Sequence, residues 1–145
     1  MKSGHSFILS TVLVFVSTGL VNGGPVHKWS DKELLDKSSL VVVGTPTGTA
    51  EKEEHTKLGR QPVVGVETTF DVTEVVKGDP ATKTVIVHHY EAEGQENDGP
   101  GPTFVRFDPD EKATFRLFLA RQPDGRFAPT AGQMDSGISL RRITK

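Results

Sequence analysis

The sequence predicts a mainly β domain: a small antiparallel barrel, closed or partly open, of about five or six strands with one short N-terminal helix. Three observations point there. From Leu40 to Val76 the chain carries two long runs rich in valine and threonine, residues that suit a pleated, half-buried surface. In the second run Val64, Val66, Thr68, Phe70 and Val72 recur at every second position, with Glu67, Thr69, Asp71 and Thr73 between them. That is the period of a strand with one face on a core. Gly and Pro clusters such as "KGDP" and "PDGR" separate the apolar runs and set turns between them.

The elements follow in order. "WSDKELLDKSS" carries Ser30 three residues before Glu33, a capping box whose serine oxygen satisfies an amide the helix cannot. Leu34 and Leu35 give this helix an apolar face, Trp29 packs at its start, and it is expected to end near Lys37 or Ser38. "SLVVVGTPTGTA" reads as a strand from Leu40 to Thr45, continuing past Pro46 only as an edge. "EKEEHTKLGRQ" reads as a polar connection. The strand after it loses its alternation beyond Val72, and a bulge or bend is expected near Glu74. "KTVIVHHY" is the next strand, followed by the glycine- and acid-rich loop 92–102, read as flexible, and a short strand at Thr103–Phe107. "ATFRLFLARQ" and "RFAPTAG" flank the "PDGR" turn as a hairpin, and "GISLRRI" supplies a last short strand. A long bulged strand followed by hairpins favours a bent barrel over a flat sandwich.

Residues 1–23 read as a secretory signal peptide. Lys2 precedes the apolar run Phe7–Val16, and Val21-Asn22-Gly23 offers small-residue cleavage after Gly23 or Gly24. The run is shorter than the roughly 20 apolar residues a spanning helix needs, so no stable membrane span is expected after cleavage. Residues 24–145 then form a single β-barrel domain, secreted or periplasmic. Among charged residues the leader holds only Lys2, so its loss moves the formal charge from −2 to −3. An acidic surface lacks the positive field that nucleic acid attracts, and no nucleic-acid partner is expected. The chain has no cysteine, so no disulfide supports it and apolar packing must.

"LLDKSSLVVVGTPTGTA", "FDVTEVVKGD" and "TFRLFLARQPDGRFAPTAGQ" together resemble small exported bacterial proteins with an OB-like β-barrel. The layout is similar to the inhibitory domain of tissue inhibitors of metalloproteinases and to netrin-like modules, over roughly residues 30–143. The resemblance implies an OB-like fold. In those inhibitors an N-terminal cysteine chelates the enzyme's zinc, and this chain has no such residue.

The residues that invite chemistry are His88, His89 and Glu91 in "TVIVHHYEAEG". Neighbours on a strand face opposite ways, so His88 goes with Ile86 and Tyr90, and His89 with Val87 and Glu91. A His89/Glu91 pair supplies two ligands, where structural zinc takes four and catalytic zinc usually three. The remainder would come from His55, Glu96 or Asp98. The favoured reading is one histidine packed at a barrel end and the other solvated, with no metal and no cofactor. "EKEEH" and "DPDEK" lack the spacing of a calcium loop, and "GTPTGTAEK" lacks that of a phosphate loop. Ser136 and Ser139 have no histidine and acid placed beside them. Phe104, Phe115, Phe118 and Phe127 are assigned to the core, not to base stacking. The expected function is an exported, non-enzymatic module that binds a protein or small ligand of unknown identity. The alternatives are a peptidase-inhibitor-like module and a small metal-binding protein using His89 and Glu91.

Overall fold

The computed structural model describes residues 27–94 and 101–143. The expected leader 1–23, and positions 95–100 of the loop after Ala92, lie outside them. The architecture is a closed five-strand barrel plus one extra strand. Its strands are β1 (Leu40–Leu58), β2 (Gln61–Lys77), β3 (Thr84–Ala92), β4 (Phe115–Arg121), β5 (Phe127–Pro129) and β6 (Leu140–Arg142). Around the barrel the order is β1-β2-β3-β5-β4, closed by β1 against β4, with β6 alongside β4. All pairs are antiparallel as expected except one, since β3 and β5 run parallel through Val87 and Phe127. Five strands cannot alternate in direction around a closed ring, so one neighbouring pair has to run parallel.

The expected β pattern holds through β2, whose inward face is Val64, Val66, Thr68 and Phe70. The phase slip is real. Val72 pairs with Gly44 and Glu74 with Val43, which leaves Thr73 as the extra residue of a bulge. Gly44 sits where β1 turns from serving two partners, β2 and β4, to serving β2 alone. A Cβ there would lie 2.7 Å from the Asp71 carbonyl oxygen, so only glycine permits this approach.

Two expectations are corrected. "EKEEHTKL" is not a connection: β1 runs through it to Leu58 and returns at Gly59-Arg60 into β2. Most of these side chains are exposed, so nothing selects the apolar alternation that reveals a strand in sequence. Thr103–Phe107 is not a strand, and only Thr103 makes a bridge, to Asp135. The Val105 amide donates instead to Ser136 Oγ at 2.9 Å, which frees Phe107 to enter the barrel.

Phe107 packs edge-on against Phe70 (5.0 Å between centroids) and Phe115 (4.9 Å). With Val42, Val87, Leu117 and Leu119 they form the main core, each such burial contributing about 1.5–3 kcal/mol. Helix α1 (Asp31–Lys37) covers the outer side of β1 and β4 through Leu34, Val41 and Phe118. Its cap is the one the sequence implies, with the Glu33 amide donating to Ser30 Oγ at 3.1 Å. A third cluster, Val63, Ala92 and Phe104, lies on the outer side of β2 and β3. Among the described residues, no helix is long and apolar enough to cross a membrane.

Candidate functional site

The outer side of β2 and β3 carries a polar network, and an irregularity in β1 creates it. Glu51 pairs with Val66 and His55 with Val64, so Lys52, Glu53 and Glu54 together stand opposite Gly65. A Cβ on residue 65 would lie 2.9 Å from the Cβ of Glu54. The absence of a side chain there lets Glu54 cross β2 and reach β3.

Glu54 reaches two basic side chains at once. Its Oε2 lies 3.0 Å from His88 Nε2, and its Oε1 accepts from Arg126 Nη1 at 2.7 Å. Arg126, on the β4–β5 hairpin, also donates through Nε to Asp124 Oδ2 at 2.8 Å. Glu67 stands 3.8 Å from Arg126 and 3.1 Å from Lys52. The other ring nitrogen of His88 meets the Gln122 side-chain amide at 3.2 Å, and its carbonyl accepts from Gln133 Nε2 at 2.9 Å. Hydrogen bonding by Arg126, aided by the charge of His88, holds the Glu54 carboxyl below its usual range despite burial. Glu54, with Asp124, raises Arg126 in return.

One of the two histidines is expected from sequence to be solvated, yet neither is, His88 included. His88 is 2% exposed, sealed by Glu54, Gln122 and Gln133. An alternation argument assigns a face, but it cannot foresee that a bulge from another strand will cover that face.

His89 points into the barrel and is fully buried. Its Nε2 lies 2.7 Å from Thr68 Oγ1, and its ring stands edge-on to Phe107 at 5.1 Å. Nδ1 has no hydrogen-bond partner among the described residues. Burial, with the charge of His88 adding to it and the Tyr90 backbone opposing, pushes its pKa down to about 4, so the ring is neutral at pH 7.

Glu91 shares the His89 face but sits at the barrel rim, 3.5 Å from Arg106 Nε. Burial raises its pKa, which Arg106 opposes and Glu51 reinforces. It lines a hollow of about 550 Å³ with Glu51, Glu93, Arg106 and Phe107. His55 pairs with Glu93 at the same rim. Among the described residues, no three or more His, Cys, Asp or Glu side chains are placed to hold a metal ion. Ser136 and Ser139 are buried, and their hydroxyls accept from the Val105 and Ala131 amides.

Below the Glu54 network lies a slot of about 660 Å³ between the first residues of β3 and the β4–β5 hairpin. Ile86, 49% exposed, and Phe127 face it, while the core residues Leu40 and Val85 form its floor. Arg121 lies over the Phe127 ring, 4.8 Å from its centroid.

No protein-family model matches the chain, and comparison with curated proteins and with solved structures returns no significant match. The fold stands as a small closed five-strand mixed barrel without cysteine. Sequence reasoning missed Glu54, Gln122 and Arg126 as members of one network. One signal was there: Gly65 interrupts a valine-rich strand, which marks a close approach.

Proposed function

We propose that the protein is an exported, non-enzymatic binding domain, and that its contact surface is the slot between β3 and the β4–β5 hairpin. The slot supports this reading most directly. Its volume is in the range of ligand sites, and apolar side chains sit beside a few polar groups. The polar network above it favours binding over catalysis, because His88 has both ring nitrogens engaged and almost no exposure. Export rests on Lys2, the apolar run Phe7–Val16 and the small residues at Asn22-Gly23.

The test compares capture from cell-envelope and secreted-protein extracts by the wild type and by Ile86→Glu. A partner retained by the first and lost by the second is the expected result. Equal retention by both, or turnover of a substrate by the wild type, overturns the reading.

A further inference from the structure

Among the described residues, β3 carries a short stretch of unpartnered edge, and that edge forms one wall of the slot. The phase of the β2–β3 ladder shows which backbone groups point there. The Val72 amide donates to the Lys83 carbonyl at 2.8 Å and the Glu93 amide to the Pro62 carbonyl at 2.9 Å. Odd-numbered residues of β3 therefore bond to β2, and even-numbered ones turn their N–H and C=O to the opposite edge. On that edge β5 meets β3 only at Val87. Phe127 is its first residue, and the chain before it turns away through Gly125, whose φ is 89°. Thr84, with its full complement of N–H and C=O, and the N–H of Ile86 consequently face the slot.

The charge in the slot is uneven. Arg126 is matched by Glu54, Asp124 and Glu67. Glu67 is also matched by Lys52; Asp79 has no cation partner among the described residues, and its Oδ1 is turned into its own loop by the Ala81 amide. Arg121 has no carboxylate partner among the described residues; its guanidinium lies over Phe127 and reaches only the Gly125 carbonyl, at 3.5 Å. A guanidinium held over an aromatic ring at the rim of an apolar slot is poised for a carboxylate.

Building on the binding-domain reading, we infer that the slot takes an extended peptide segment bearing a carboxylate. The segment adds a short strand along Thr84–Ile86, rests its apolar side chains on Ile86, Val85 and Phe127, and places its carboxylate on Arg121. Backbone pairing supplies affinity, and the apolar floor and the arginine supply selectivity.

The probes are fluorescent hexapeptides of alternating serine and valine, read by anisotropy against the full chain. One ends in a free carboxylate, one is amidated with a terminal aspartate side chain, and one is amidated with asparagine there. Two more repeat the first with alternate backbone nitrogens methylated, in opposite registers. A carboxylate peptide is expected to bind, and the tighter of the first two identifies a chain terminus or an acidic side chain as the source. The asparagine peptide is expected to bind about tenfold more weakly, equivalent to roughly 1.4 kcal/mol. One methylated register should lose binding and the other keep it. Arg121→Gln should bring the carboxylate peptides to the level of the asparagine peptide while melting at the parent temperature.

Binding indifferent to Arg121→Gln, or to methylation in both registers, overturns the inference, as does binding by none of the peptides. If no peptide binds while the wild type still retains a partner that Ile86→Glu loses, the ligand class fails and the binding-domain reading survives. Loss of both results removes both.

Discussion

Glu54 lies directly across Gly65, on a strand that supplies three residues where its partner supplies one. This relationship carries a carboxylate from the edge of the sheet to a histidine on the third strand. Gly65 is not at positive φ, so the need for glycine is one of space and not of backbone conformation.

Gly65→Ala is therefore expected to destabilise by about 1–3 kcal/mol, the usual cost of overpacking. The Cβ–Cβ approach of 2.9 Å cannot be relieved by swinging the end of a side chain. Denaturant unfolding of Gly65→Ala, Glu54→Gly and the double variant, in which the Glu54 Cβ is gone, checks this. The double variant should cost clearly less than the two single changes combined; strict additivity would mean that the two residues do not press on each other.

Stability should fall as pH drops from 6.5 towards 4. His89 has its pKa depressed from 6.5 to about 4 in the folded state, chiefly by burial. Between those values the unfolded chain binds a proton that the folded one refuses, so unfolding is favoured as the solution acidifies. The full contribution is roughly 3 kcal/mol. Glu91, whose pKa is raised, works in the opposite sense over the start of the carboxylate range. Glu54 and Asp124, with lowered values, add to the loss below their unfolded pKa values. Urea midpoints measured from pH 7.5 to 4 for wild type and His89→Gln isolate the histidine. The variant should show a flatter profile between pH 6.5 and 4.5.

Phe115→Ala is expected to cost about 3–5 kcal/mol. Its ring is buried and stands edge-on to both Phe107 and Phe70, and the barrel has no disulfide to hold it while a cavity forms. Thermal unfolding monitored by circular dichroism measures the loss; an unchanged melting temperature would mean that the β4 register is wrong.

Zinc titration by calorimetry should give the same isotherm for the wild type and His89→Gln. The His89 ring is sealed inside the barrel with Nε2 on Thr68 Oγ1, and Glu91 is at the rim beside Arg106. Tighter zinc binding by the wild type than by the variant would restore the His89/Glu91 site.

Much of the fold was legible in the residues. The period of two from Val64 to Val72, the Ser30–Glu33 cap and the "PDGR" turn each encode a local constraint, and each stands where it was read. β1 beyond Thr45 was illegible because most of its side chains are exposed there. Phe104 was readable as a core residue, but Thr103–Phe107 was not readable as a loop, since a buried aromatic looks the same in a strand or a loop.

The candidate site divides in the same way. Alternation alone sends His88 and His89 to opposite faces, and they are there. It cannot say that Glu54, thirty-four residues from His88, will arrive through a bulge and seal it, or that Arg126 will come from the β4–β5 hairpin to complete the network. Local steric and periodic rules decided which segments became strands and which face of β2 was apolar, because those depend on neighbours in the chain. Closure of five strands decided the rest: the parallel β3–β5 contact, the slot left where β5 turns away, and the side chains gathered above it. These depend on partners distant in sequence, whose positions no short-range pattern contains.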